Sequence, residues 1–134
     1  MKLKYIKAGL WKRPIIPIEI SYNNKAVNYL ALIDSGSDFN IFHKDIADIL
    51  DIDLSKLKKI PFSGISSKGG QCEGIFVEVD LKIGRKNIKS LVLFSEDISE
   101  DGYGILGQQD FFTKFKITFN YKDSSITVIQ NITN

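Results

Sequence analysis

The sequence is poor in the residues on which most enzyme chemistry rests. Its 134 residues include one cysteine, Cys72, and one histidine, His43. A lone cysteine excludes an intrachain disulfide framework and any cysteine-based zinc cluster. A lone histidine leaves most catalytic triads and histidine-rich metal sites without bases or ligands. Long apolar runs are missing too: the longest, such as 29–33 and 91–94, fall far short of a membrane span. The lysine-rich start has no apolar segment behind it of the kind that makes a secretory signal. These absences predict a soluble, cytoplasmic protein with no membrane contact. Net charge is small, since 18 basic and 16 acidic residues leave +2, which does not point to nucleic acid as the main partner. Chemistry here must rest on carboxylates, hydroxyls and backbone; no cofactor and no metal are expected.

What is present is ordinary globular material. Hydrophobic residues make up 43% and charged residues 25%, near the usual balance, and the length predicts one domain over 1–134. The dominant period is two. Ile16, Ile18 and Ile20 alternate with Pro17, Glu19 and Ser21, the pattern of a half-buried strand. Asn23-Asn24 supplies a turn, so 14–33 reads as a β-hairpin, with Pro14 and Pro17 confining its first strand to an edge or a strand start. Ile46, Ile49 and Leu50 fall at helical spacing and predict a short amphipathic helix over 43–51. Strands are expected at 60–66, 76–83, 88–94, 115–121 and 126–129, with a helical turn around 107–113. The acidic stretch 95–102 reads as a solvated loop. The basic segment 1–13 reads as a solvated N-terminal arm. The fold class is all-β with one or two short helices, a barrel or a folded sandwich.

One segment carries chemistry. Ala31-Leu32-Ile33-Asp34-Ser35-Gly36-Ser37-Asp38 places an acidic residue directly after a buried strand, followed by a hydroxyl and a glycine. The strand delivers a carboxylate rigidly to the edge of the core, and Gly36 lets the chain turn and a ligand approach. Taken alone, the same residues also describe a plain strand-ending turn.

Over roughly 14–121, the chain resembles the retroviral-like (retropepsin-like) aspartic proteases, because four features occur in that family's order. They are the hairpin feeding the acidic turn, Asp34-Ser35-Gly36-Ser37 as the catalytic loop, a glycine-bearing hairpin over 60–75 as the flap, and Ile105-Leu106-Gly107 as the element supporting the loop. The resemblance implies a closed, barrel-like retropepsin (acid protease) fold and an aspartic endopeptidase acting on peptide or protein substrates. It implies that two aspartates share a proton, one acting as base on a water while the other serves the peptide carbonyl. Only one such loop is present, so a homodimer with Asp34 from each copy is implied. Ser35 would bond across the dimer, Gly36 and Asp38 would hold substrate backbone, and Ser66, Ser67, Gly69 and Gly70 would form the tip closing over it. Ile33, Ile41, Ile65 and Ile105 would line apolar pockets.

The chain also departs from the retroviral pattern. Gln108 stands where retroviral members carry an arginine, which leaves Asp38 without that partner. The C-terminal region reads as a hairpin over 115–129 in place of interleaved terminal strands, so a different dimer interface is expected. The reading from another class is a retropepsin-fold module that binds peptides or partner proteins without turnover. Asp51, Asp53 and Ser55 open like a calcium loop, but Lys56 replaces the required glycine. A Cys72/His43 pair is set aside, a buried thiol being the plainer reading.

Overall fold

The computed structural model describes residues 1–63, 71–98 and 102–132. Its first five strands are β1 (Lys2–Lys4), β2 (Ile6–Ala8), β3 (Trp11–Arg13), β4 (Ile15–Tyr22) and β5 (Lys25–Ile33). Then come β6 (Asn40–His43), the helix α1 (Lys44–Ile49), β7 (Ile60–Phe62), β8 (Cys72–Ile83) and β9 (Lys86–Ser95). The chain ends with β10 (Tyr103–Leu106), a wide turn over Gln108–Phe112, β11 (Phe115–Asn120) and β12 (Ser125–Gln130). Among the described residues no helix is long and apolar enough to cross a membrane.

Six strands close into a barrel in the order β4-β5-β10-β6-β9-β8, with β8 returning to pair with β4 through Glu19↔Lys82 to Ser21↔Asp80. Closure satisfies the backbone groups that an open sheet edge would leave exposed. The alternation in β4 works as the sequence predicts: Ile16, Ile18 and Ile20 are buried and Pro17 is exposed. Asn23 takes a φ of 53° in the turn to β5, a conformation that asparagine tolerates better than most residues. Pro17 lies inside β4, yet only β5 is paired with it there, so the strand is locally the edge that proline requires. The main core joins the β4 isoleucines to Phe42, Leu81, Phe94, Leu106 and Phe111.

Three expectations need correction. Residues 1–13 are not a solvated arm. β1 pairs antiparallel with β12, which pairs in turn with β11, and β2 and β3 form a hairpin. The Lys12 ammonium fastens that hairpin, donating to Tyr121 O at 2.6 Å and Ser124 Oγ at 2.8 Å and lying 4.1 Å from the Tyr121 ring centre. In α1 the buried face is Ile46 and Ala47, continued by Leu50 beyond the helix end, while Ile49 is 54% exposed. At 100° per residue those three centre the face about 110° away from Ile49. The described start of the acidic stretch, 95–98, is tied down rather than simply solvated: the Asp97 carboxylate accepts the Glu73 N–H at 2.9 Å, and Ile98 is buried.

Candidate active site

β5 carries the chain to Ile33 inside the barrel wall, and β10 runs parallel beside it with Leu106 opposite Ile33. The ladder continues one step further, because the Asp34 N–H donates to Leu106 O at 2.9 Å. Asp34 is therefore the last residue held by the sheet. Its side chain reaches a cleft of about 610 Å³, half-buried among Gly36, Asp38, Ile41 and Ile105. The Gly36 N–H donates to Asp34 Oδ1 at 2.9 Å, and Ser37 N–H to Asp34 O at 3.1 Å. These bonds close a tight turn and fix one carboxylate oxygen toward the backbone.

The loop that follows is bound to the segment after β10. Gln108 N–H donates to Ser37 O at 2.8 Å and Gln109 N–H to Asp38 O at 2.9 Å. The Gln108 side chain donates to Ser35 O at 2.6 Å. Where the family's arginine would pair with an acidic side chain, this glutamine grips the backbone of the turn instead. Asp38 keeps an exposed carboxylate with no hydrogen bond among the described residues. Gly107 is required by space, since a Cβ there would lie 2.5 Å from Phe39 O and 2.6 Å from Ser37 O. Both are backbone atoms: Ser37 O is held by the Gln108 N–H, and Phe39 O accepts the Ser37 hydroxyl at 2.8 Å.

Asn40 was not legible in the sequence, where it reads as part of an apolar stretch. It is fully buried at the start of β6. Its Oδ1 accepts the Gly107 N–H at 2.8 Å and its Nδ2 donates to Ser90 Oγ at 2.7 Å. A buried polar group of this kind persists only when its bonds are made. The one available signal was asparagine interrupting a run of strand-forming residues.

The structure brings Asp34, Gly36, Asp38, Ile41 and Ile105 to one cleft. Ser35 is exposed beside it, and Leu106 and Gly107 lie behind the loop. Ile33, expected as a pocket wall, packs into the main core instead, because the period of two turns it to the barrel interior. Ile65, Ser66, Ser67, Gly69 and Gly70 lie outside the described residues. The base of the expected 60–75 hairpin is present as β7 and β8, paired from Ile60↔Gly74 to Phe62↔Cys72. Pro61, Phe62, Ser63, Phe39 and Ile98 also line the cleft. Of these, Phe62, Phe39 and Ile98 belong to a second apolar cluster with Ile41, Leu93, Phe76 and Ile105, in which Phe39 meets Phe76 edge-on at 5.0 Å. One wall of the cleft is thus apolar and the other carries carboxylate and backbone.

Another cavity, of about 580 Å³, is lined by Met1, Arg85, Phe115 and Ile129 among others and has no carboxylate in its wall. Among the described residues no group of three or more His, Cys, Asp or Glu side chains is placed to hold a metal. Cys72 is buried, and His43 uses Nδ1 to accept the Asp45 N–H at 3.1 Å, capping α1.

No protein-family model matches the chain, and no curated protein does. Solved structures do. A retropepsin-like aspartic protease from Rickettsia conorii is similar with a TM-score of 0.67 and 17% identity, over 96% of this chain and 98% of that one. The EIAV protease, solved with the inhibitor HBY-793, is similar with a TM-score of 0.49 and 25% identity, over 77% of this chain and 88% of that one. The chain has the all-β fold of the retropepsin-like aspartic proteases.

Proposed function

We propose that this chain is an aspartic endopeptidase that works as a homodimer, with Asp34 of each copy forming a shared dyad. The observation that carries the reading is the placement of Asp34. It is one carboxylate, delivered by a barrel strand to the floor of a half-apolar cleft, with one oxygen held by the Gly36 N–H. Two such carboxylates brought face to face cannot both ionise, so they retain one proton between them and titrate as a pair.

The chemistry follows from that proton. The ionised carboxylate takes a proton from a water as its oxygen attacks the peptide carbonyl carbon, and the protonated one donates to the carbonyl oxygen. As the tetrahedral intermediate collapses, the amine leaves with a proton returned from the dyad. Gly36 and Asp38 line the cleft where substrate backbone would lie, and Ser66, Ser67, Gly69 and Gly70 are assigned the role of covering it. Ser35, exposed beside the dyad, is assigned the contact between the two loops. The apolar wall of Phe39, Ile41, Phe62, Ile98 and Ile105 suits an apolar substrate side chain.

The test is cleavage of a mixed peptide library from acidic to neutral pH by wild type and by Asp34→Asn. Wild type is expected to cleave best in acid, and Asp34→Asn to be inactive while melting as wild type does. Cleavage that survives the substitution overturns the mechanism. Peptide binding without turnover by a verified dimer assigns the non-catalytic binding module instead.

A further inference from the structure

The proposed dyad needs a second copy of the chain, and the sheet edges indicate where that copy docks. Among the described residues barrel closure leaves few open edges, and these differ in how well they resist pairing with their own twin. Natural edge strands do this with charge, proline or short length. β1 has three residues, and lysines flank its central Leu3. Self-pairing about Leu3 would set Lys2 against Lys4 of the twin, a like-charge contact. The β2–β3 hairpin is equally short and carries Lys7, Lys12 and Arg13. β7 has three residues and contains Pro61.

β11 has the least of this protection. It runs for six residues, Phe115–Asn120, without proline and with a single charge, Lys116. Among the described residues it is paired on one side only, by β12. Phe119 is 43% exposed although Ile126, opposite it in β12, is buried. An apolar side chain is left uncovered at an unprotected edge.

We infer that a second copy docks on β11, edge to edge and antiparallel, giving one continuous sheet with β11 of each copy at its centre. The inference rests on the homodimer reading above. With Thr118 facing its twin, Ile117 of one copy lies opposite Phe119 of the other, and Lys116 opposite Asn120. Faces match because cross-strand partners keep the same parity, no like charges meet within β11, and each Phe119 gains a β-branched neighbour. Interleaving of terminal strands is closed off, since β12 already has β1 on one side and β11 on the other. β11 also begins shortly after the wide turn whose Gln108 and Gln109 hold the Asp34 loop. Docking on this edge therefore bears on the site through a short, bonded segment.

The experiment combines cross-linking with sedimentation. Under mild oxidation Thr118→Cys is expected to form a covalent dimer, while Lys4→Cys and wild type, whose Cys72 is buried, do not. Phe119→Lys, at an exposed position, is expected to keep the wild-type circular dichroism and to weaken dimerisation by about tenfold or more. Suppose wild type dimerises, but Thr118→Cys does not link and Phe119→Lys dimerises normally. The edge assignment is then overturned while the homodimer reading stands. Wild type that sediments as a monomer even at millimolar concentration overturns both.

Discussion

The side-chain oxygen of Asn40 accepts the backbone N–H of Gly107 at 2.8 Å in a fully buried position, joining the end of the Asp34 loop to the residue behind it. The amide's other end donates to Ser90 Oγ, whose hydroxyl passes on to Leu91 O at 3.1 Å. Asn40→Leu keeps the number and branching of side-chain heavy atoms and removes both bonds, leaving the Gly107 N–H buried without a partner. A destabilisation of about 1–3 kcal/mol is expected, read by urea unfolding. A change within error would show that the amide does not anchor the loop.

Gly107→Ala tests the same junction by volume instead of by hydrogen bonding. The added methyl would meet the carbonyls of Phe39 and Ser37 at contact-breaking distance. Both belong to a loop held by several backbone bonds, so neither can withdraw cheaply. A loss near 3 kcal/mol is expected, together with loss of peptide cleavage. Normal stability with normal activity would mean that the loop is looser than its bonds imply.

Lys12→Met separates a folded N-terminal hairpin from a solvated arm. Methionine keeps the stem but loses the bonds to Tyr121 O and Ser124 Oγ and the ammonium over the Tyr121 ring. A cost of about 1–2 kcal/mol is expected, with faster amide exchange confined first to β2 and β3. A solvated arm would show neither effect.

Asp53 supplies a pH-dependent prediction. Its carboxylate accepts the Ser55 hydroxyl at 2.6 Å and the Ser55 N–H at 3.0 Å, which lower its pKa from the ordinary value of 3.8. A folded-state pKa below the unfolded one stabilises the fold above about pH 3.8, and that contribution is lost as pH falls through the lowered value. Ser55→Ala removes the first cause, so the Asp53 pKa should rise toward 3.8 in an NMR titration. An unmoved titration curve would show that the hydroxyl bond is absent in solution.

Much of this molecule is legible in its sequence. The isoleucines of β4, the left-handed Asn23 and the acidic turn at Asp34 are local features, and each sits where its chemistry puts it. Ile105-Leu106-Gly107 was also readable as the support for that turn, and it lies directly behind it. Other features were not readable, because a two-residue period names the face of a strand but not its neighbour. Nothing in Lys2–Lys4 announces β12 as a partner, which lies at the far end of the chain. Ile98, a lone apolar residue among acids, gives no sign that it reaches the cleft. Asn40 looks like a flaw in an apolar run until Gly107 and Ser90 are seen on either side of it.

The scarcity of cysteine and histidine by itself narrowed the chemistry to carboxylates, hydroxyls and backbone, and the resemblance to retropepsin-like proteases made the single acidic turn in 134 residues imply half of a shared site. Those are matters of count and local order, which a chain carries before it folds. How the turn is held was decided only by tertiary structure. The bonds from Asn40, Gln108 and Gln109 and the apolar wall facing Asp34 each join residues far apart in sequence. Only barrel closure and the pairing of the chain's two ends bring them within hydrogen-bonding or packing distance.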